Sequence, residues 1–549
     1  MKRDLKILSE NNFDILIIGG GIYGTSLFWR AATSGYSAAL IEQNDFASGT
    51  SSNSQKIIHG GLRYLQNLDI LRIRQSVNER KRLMWLAPHL VSPLPCVMPL
   101  YGHKLKGKEA LSVAIKLYDF LSADRNNIQD KSKHIPNGKI LSKKKINDIL
   151  PGLEQNDLTA GVLWYDAFCN NTERLILSLV KSAVKLGSNA ANYLKAEKLI
   201  VENNIIKSVN VLDLQSQNHF SVKAKKVVAC TGPDENGFYT NLNIPKQKYV
   251  AGLNIVVDKI FPHNFAAGID NRFNKRLYFI APWNDKSILG TDWYPVPDMK
   301  SFEFKKLHVE KFLENFNETY PAAGLTYKDI KFVHTGFVPA ANNLQDPSST
   351  LNHFKLINGA DLGIKNFYKL IGVKYTTAVN VADNLLNSIY FDFKKSSLEL
   401  QPKLIGGEIE NLEEFRSKVY KKYGDKISEQ KLENLVNNYG SEIYNILENS
   451  TITSEFDYSK KINYEIIKSQ VIFAIKEEMA LHLDDIIFRR TNIGSSGLPD
   501  NLEINFISKV ASDELGWNET ERIHEIKRIE SYFRLLSKNS LFNKNLVTK

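Results

Sequence analysis

One stretch near the N-terminus, residues 13–42, constrains the fold of this 549-residue chain more than any other. It opens with four apolar residues, Ile15 to Ile18, which predict a strand buried on both faces. The spacing G-x-G-x-x-G follows at once, in Gly19, Gly21 and Gly24. In such a turn the first glycine permits the sharp bend, the second lets backbone N–H groups approach a pyrophosphate, and the third lets the next helix pack on the sheet.

The residues after this turn complete a strand–helix–strand unit. The pattern predicts a helix from Ile22 to Ser34, ended by Gly35, and a second strand from Ser37 to Ile41. Glu42 then stands at the end of that strand, where a carboxylate can accept hydrogen bonds from a ribose 2′-hydroxyl and disfavours a 2′-phosphate. Together these elements predict a dinucleotide site, and they leave NAD and FAD both open.

The length of the chain and its cysteine content limit the number of domains and the compartment that we expect. A chain of 549 residues predicts two or three domains, and 43% hydrophobic with 24% charged residues is typical of a globular protein. Three separated cysteines, Cys96, Cys169 and Cys230, form no C-x-x-C pair, so we expect no metal site and a reducing, cytoplasmic location. No uncharged run has the pattern of a signal peptide or a membrane span.

The net charge of +11 raises two classes of partner, nucleic acid and the anionic face of a membrane. Lysine and arginine are spread along the whole chain, and no nucleic-acid-binding signature accompanies them. Solvated surface is therefore the favoured interpretation. A peripheral patch for the cytoplasmic face of a membrane is the second, and we do not expect nucleic-acid binding.

A loop rich in serine, threonine and glycine follows the nucleotide unit and suits the wrapping of phosphate and ribose. It leads into residues 58–65, with the sequence IHGGLRYL. Together they resemble the signature of the FAD-dependent glycerol-3-phosphate dehydrogenases, the quinone-linked kind. The resemblance implies FAD, held non-covalently.

The resemblance covers residues 13 to about 494 and continues in three further segments. Residues 231–233, TGP, are similar to the strand end at which such flavoproteins return the backbone to the cofactor. Residues 372–377, GVKYTT, are similar to the family's last loop, whose N–H groups we expect to meet the electron-rich edge of the flavin. Residues 477–494 resemble the family's helical C-terminal domain.

The fold class predicted from these segments is α/β. It comprises a discontinuous Rossmann-like FAD-binding domain, an antiparallel-sheet substrate domain indicated by alternating strands, and an all-α C-terminal domain indicated by helical periodicity. The expected boundaries are 1–80, 160–235 and 355–398 for the FAD-binding domain, 81–159 and 236–354 for the substrate domain, and 408–549 for the helical domain. Elements that return after long insertions also favour FAD over NAD.

The resemblance implies an enzyme that oxidises a small hydroxylated substrate by hydride transfer to flavin, with a quinone or oxygen as electron acceptor. Oxidation of glycerol 3-phosphate to dihydroxyacetone phosphate is the best single expectation. The alternatives are a related dehydrogenase or oxidase acting on a non-phosphorylated alcohol, 2-hydroxy acid or amine, and a non-catalytic FAD-binding protein. A homodimer is left open.

Three pocket positions depart from the family's pattern. Asn254 stands at the family's histidine, and Val338 and Asn352 stand at two family arginines. If both arginines are lost, a phosphate ester loses roughly 3–6 kcal/mol of binding. The hypothesis is therefore a substrate other than glycerol 3-phosphate, or poor use of it.

The candidate residues fall into two sets. The predicted catalytic set is His59, Arg63, Tyr64, Lys374 and Asn254. The predicted cofactor-binding set, drawn from the glycine turn, the polar loop, the strand end and the last loop, is Gly19, Gly21, Gly24, Glu42, Thr50, Ser51, Ser52, Lys56, His59, Gly60, Gly61, Thr231, Gly232, Gly372, Lys374, Tyr375 and Thr376.

Overall fold

The computed structural model describes residues 1–102, 107–233, 237–239, 242, 244–271, 276–341, 349–448 and 458–536, without the side chains of 399 and 458–463. The strands are β1 Asn12–Ile18, β2 Ala38–Ile41, β3 Ile57–Ile58, β4 Val91–Tyr101, β5 Lys139–Ser142, β6 Leu158–Cys169, β7 Asn189–Ala191, β8 Leu194–Glu202, β9 Ile205–Asp213, β10 His219–Ala229, β11 Tyr249–Asp258, β12 Ala266–Asp270, β13 Leu277–Trp283, β14 Lys286–Pro295, β15 Ile330–Pro339, β16 Lys355–Asn358 and β17 Phe367–Ile371.

The α-helices surround two sheets. They are α1 Leu5–Glu10, α2 Ile22–Thr33, α3 Ile70–Leu86, α4 Lys108–Leu121, α5 Lys143–Ile149, α6 Thr172–Lys185, α7 Lys306–Thr319, α8 Ala378–Ile389, α9 Leu412–Tyr423, α10 Glu429–Tyr439, α11 Ile443–Glu448, α12 Tyr458–Glu478, α13 Asn501–Leu515 and α14 Glu519–Tyr532.

The first sheet has the strand order β16-β17-β10-β1-β2-β7, with β9 added beside β10 and β8 beside β9. Its centre is parallel, because β1 pairs in parallel with both β10 and β2, and β17 joins β10 in the same sense. The apolar run of β1 is buried on both faces, as predicted, and α2 packs beside α6 and α8. The parallel strands therefore end at one common edge.

The second sheet has the order β15-β11-β14-β13-β12-β4-β6-β3, with β5 beside β6. The expected antiparallel sheet is confirmed, with one parallel pair between β12 and β4. The expected boundary at residue 160 falls inside β6, which pairs with β4 along its length. The second sheet thus contains strands from both sides of that boundary.

Helices α9 to α14 form the C-terminal part, and the expected all-α character is confirmed. Their core includes Leu432, Val436 and Ile443, all buried. A π-helical turn, Asp485–Arg490, packs against α12 and α6. Within the described ranges, no helix is long and apolar enough to cross a bilayer.

Candidate active site

One cavity of about 1350 Å³ lies where the parallel strands of the first sheet end. Residues that follow β1, β10 and β17, namely Gly19, Cys230 and Gly372, line it, as do Asn254 and Phe279 of the second sheet. Ligand sites for small molecules usually measure about 300–1,000 Å³. The cavity therefore has room for a dinucleotide together with a small substrate.

The glycine turn has the geometry predicted for a phosphate site. Gly19 has φ of +114°, and a Cβ on it would lie 2.5 Å from the carbonyl oxygen of Cys230. Gly21 caps α2, so the positive end of the helix dipole is directed at the cavity. A side chain on Gly24 would collide with the Gly19 carbonyl, which explains the third glycine as a helix-packing requirement.

Glu42 lines the cavity at the end of β2, beside the glycine turn. Its Oε2 accepts a hydrogen bond of 2.6 Å from the Gly20 N–H, and its Oε1 accepts one of 2.8 Å from the Asn44 N–H. A carboxylate offers about four lone-pair sites, so these two bonds are compatible with further hydroxyl donors. The residue stands where a ribose acceptor is expected.

The polar loop contributes fewer side chains than predicted. Thr50 and Ser51 line the cavity, and Ser51 Oγ accepts a 3.0 Å hydrogen bond from the Ile22 N–H at the start of α2. Ser52 does not line it, because its hydroxyl donates to the Gly49 carbonyl at 3.0 Å. Lys56 also lines the cavity, and its buried ammonium pairs with Glu173 at 2.9 Å.

Six further predicted residues line the cavity at a strand end and in the last loop. Thr231 and Gly232 line it after β10, and Gly372, Lys374, Tyr375 and Thr376 line it after β17. Gly232 has φ of +61°, with open space where a Cβ would lie, so its backbone is accessible to a ligand.

The last loop is fastened by a residue that the sequence reasoning missed. Tyr23 Oη accepts hydrogen bonds from the N–H groups of Val373 at 2.9 Å and Lys374 at 2.7 Å, and it donates to the Lys374 carbonyl. These two N–H groups are therefore used within the protein, and the expectation that this loop meets the flavin rests on its remaining N–H groups. Burial raises the pKa of Tyr23 to about 12, so the phenol stays protonated.

His59 and Asp166 form a hydrogen-bonded pair on the cavity wall. His59 Nδ1 lies 3.0 Å from Asp166 Oδ2, and the imidazole is about half exposed to the cavity, with 53% of the side chain accessible. Gly60 does not line the cavity; its N–H donates to Asp166 Oδ1 at 2.6 Å. Arg80 lies 3.6 Å from the same oxygen.

This arrangement keeps Asp166 ionised. Burial raises its pKa, but the hydrogen bond from His59 and the charges of His59 and Arg80 outweigh burial, so the pKa is lowered overall. An ionised Asp166 accepts a hydrogen bond at His59 Nδ1 and so fixes the orientation of the ring. Sequence reasoning did not assign Asp166, because its separation of 107 residues from His59 corresponds to no recognisable spacing.

Positive charge gathers at the substrate end of the cavity. Arg63, Tyr64 and Lys374 all line it, and the Lys374 ammonium contacts the Tyr64 hydroxyl while lying 4.4 Å from the ring centroid. Arg63 lies over the same ring, with its Cζ 5.4 Å from the centroid. Among the side chains that the structure describes, no carboxylate forms an ion pair with Arg63 or Lys374. Burial, aided by the charge of Arg63, lowers the pKa of Lys374 to about 8.

The three positions at which the sequence predicts a departure from the family lie in different surroundings. Asn254 is buried and lines the cavity, where its Oδ1 accepts a 2.7 Å hydrogen bond from Thr291, so it is a polar contact and not a base. Val338 lines the same cavity. Asn352 lines a separate cavity of about 370 Å³ instead. Only two of these three positions can therefore contact a ligand in the main cavity.

Comparison with known proteins defines the class of the chain. Residues 14–368 match the family described as FAD dependent oxidoreductase, and residues 400–522 match the C-terminal domain of alpha-glycerophosphate oxidase. The chain belongs to the FAD-dependent oxidoreductase family, and its cofactor is FAD. The family, the fold class and the cofactor predicted from the sequence are thereby confirmed.

Three of the similar proteins are glycerol-3-phosphate dehydrogenases by name. One from Synechocystis sp. is 30% identical over 560 residues, covering 96% of this chain and 98% of that protein. An aerobic one from Staphylococcus epidermidis is 27% identical, covering 96% of each chain. The structure of the one from Bacillus halodurans complexed with FAD has a TM-score of 0.76 at 22% identity over 98% of this chain and 97% of that chain, which shows the same fold.

The residues present fit FAD. The glycine turn and the hydroxyl of Ser51 suit a pyrophosphate, and Glu42 suits a ribose. The cavity continues from this end to Lys374 and His59, where the isoalloxazine and the substrate would meet.

Proposed function

We propose that this enzyme oxidises a small anionic hydroxy compound, with glycerol 3-phosphate as the first candidate. The main support is that Arg63 and Lys374, which have no carboxylate partner in the described structure, line the same cavity as the His59–Asp166 pair. A cationic pair accounts for the recognition of an anionic end, and a carboxylate-supported imidazole accounts for proton removal. The names of the similar proteins point to the same substrate.

Each residue has a distinct task in this proposal. Arg63 and Lys374 bind the anionic group, and Tyr64 holds the Lys374 ammonium in place. His59 accepts the hydroxyl proton at Nε2, since Nδ1 is engaged by Asp166. FAD, when bound, supplies the hydride acceptor. Asn254, fixed by Thr291, contributes a polar contact to the substrate.

A second candidate, a non-phosphorylated alcohol, 2-hydroxy acid or amine, is favoured by Val338, which places an apolar side chain on the cavity wall. Anaerobic reduction of the flavin separates the two. Glycerol 3-phosphate should bleach the flavin at lower concentration than glycerol does, because only the phosphate ester engages Arg63 and Lys374. Bleaching by a neutral alcohol or an amine, with none by glycerol 3-phosphate, would reject the anionic substrate.

We also propose reversible attachment to the cytoplasmic face of a membrane, where a quinone would accept the electrons. Support comes from α4, on which Val113, Leu117 and Phe120 share one face and are 68%, 40% and 77% exposed. Ala110 and Leu111 of the same helix line the cavity. An apolar face beside the cavity, on a chain of net charge +11, suits an anionic bilayer.

Sedimentation with anionic vesicles tests the attachment. Binding at low salt and its loss at high salt are expected, and Phe120→Ser should weaken it. Phe391→Ser is the matched control, because Phe391 is an even more exposed phenylalanine and lies outside α4. Absence of sedimentation at low salt would favour a soluble enzyme that uses oxygen.

A further inference from the structure

The loop of residues 42–50 forms a wall of the cavity at its nucleotide end. One side chain of this loop, Asp45, binds residues of the C-terminal helical part. Asp45 is 1% exposed. Its carboxylate receives two hydrogen bonds from the Arg490 guanidinium, at 2.7 and 2.8 Å, and one from Arg489 Nε at 2.6 Å. Asn192 adds a fourth at 2.9 Å. Both arginines belong to the π-helical turn of the C-terminal helical part.

The same loop fastens the phosphate turn. Gly20 donates its N–H to Glu42 Oε2, and its carbonyl accepts a 3.1 Å hydrogen bond from the Ala47 N–H. Glu42 and Ala47 lie on either side of Asp45 along the chain and both line the cavity. Arg490 therefore binds Asp45, and the neighbours of Asp45 in the same loop, Glu42 and Ala47, bind Gly20.

A second connection runs in parallel. The Tyr193 N–H donates to the Asn44 carbonyl at 3.0 Å, and the Tyr193 hydroxyl donates to Asp485 at 2.6 Å. Asp485 belongs to the same π-helical turn and pairs with Arg489 at 2.6 Å. Two adjacent residues of the cavity wall, 44 and 45, are thus both fixed to one turn of the C-terminal part.

We propose that the C-terminal helical part maintains the FAD site in its binding-competent form, with Arg490 and Arg489 acting as positioning residues through Asp45. A buried carboxylate that loses its guanidinium partners is left uncompensated, so the loop must move to solvate it. Movement of the loop withdraws Glu42 and Ala47 from Gly20, and FAD binding must then supply the ordering free energy itself. The proposal goes beyond the substrate and concerns retention of the cofactor.

The test measures the FAD dissociation constant of the apoprotein by flavin fluorescence, with the melting temperature recorded beside it. Asp45→Asn and Arg490→Met should each raise the constant at least about tenfold, which corresponds to about 1.4 kcal/mol. Arg490→Lys keeps the positive charge but loses the bidentate contact with Asp45, so it should give an intermediate FAD dissociation constant. It also keeps the test open if Asp45→Asn fails to fold.

Lys181→Met is the matched control. Lys181 is a buried ammonium of α6 that pairs with Glu442 at 2.6 Å and Glu478 at 3.0 Å, so it joins the same two parts of the chain without bonding to residues 42–50. It should lower the melting temperature and leave FAD affinity within about threefold of wild type. Unchanged affinity in Asp45→Asn, or equal weakening in Lys181→Met for an equal loss of melting temperature, would overturn the proposal.

Discussion

Replacing Val338 by arginine tests whether an added positive charge in the cavity strengthens the binding of an anionic substrate. Val338 is partly exposed on β15 and lines the main cavity, whose volume of about 1350 Å³ accommodates a longer side chain. A guanidinium there can form a charge-assisted contact with a phosphate, worth about 1.5–3 kcal/mol. The KM for glycerol 3-phosphate should therefore fall by about one to two powers of ten.

Asn352→Arg provides the matched comparison. Asn352 lines the separate cavity of about 370 Å³, so an arginine there should leave the KM unchanged. Steady-state kinetics with an artificial electron acceptor gives the KM of the unmodified enzyme and of each variant. The KM is measured for glycerol 3-phosphate and for uncharged glycerol. The reasoning would be refuted if the KM fell in Asn352→Arg and did not change in Val338→Arg, because position 352, and not position 338, would then contact the anion. Micromolar KM in the unmodified enzyme would show that Arg63 and Lys374 alone suffice.

Three further predictions concern single groups of the site. Glu42→Ala should weaken FAD binding by about 1.5–3 kcal/mol, measured by flavin fluorescence, since a ribose hydroxyl loses an ionised acceptor; unchanged affinity would show that no ribose contacts Glu42. The KM for an anionic substrate should rise above pH 8, because Lys374, with its pKa lowered to about 8, is charged below that pH and neutral above it; a flat profile in this range would exclude Lys374 from anion binding. Asp166→Asn should lower kcat by up to about 10²–10⁴, the usual contribution of a general base, because His59, the proposed base, loses the charge that orients it, and the pH profile should change as well; an unaltered profile would exclude that role.

The sequence predicted those parts of the site that depend on local backbone. The predicted apolar run Ile15–Ile18 lies within the strand Asn12–Ile18, and the turn at Gly19 is the predicted sharp bend, because apolar runs and glycine spacing act over a few residues. The direction of the Lys56 side chain was not predictable. Its ammonium pairs with Glu173, 117 residues away in the chain, and only tertiary packing decides between that partner and a phosphate.

The contacts of Tyr23 and Asp166 were missed for the same reason. Tyr23 bonds to Lys374 across 351 residues, and Asp166 to His59 across 107. Neither spacing corresponds to a helix face or a strand face, so no periodicity in the sequence connects the partners. A motif predicts that a residue lies near a site. The direction of that residue's side chain depends on which distant segment packs against it.

The two ends of the cavity differ in how much sequence change they tolerate, and this difference explains where the chain departs from its relatives. The nucleotide end is built largely from backbone groups around Gly19 and Gly21, which most substitutions elsewhere leave intact. At the substrate end the cations Arg63 and Lys374 adjoin elements of the FAD side, whereas the departures Asn254 and Val338 lie on adjacent strands of the second sheet. The second sheet can therefore change what it presents to a substrate without disturbing FAD. An anionic group should accordingly lie toward Arg63 and Lys374, with the neutral part of the substrate against β11 and β15.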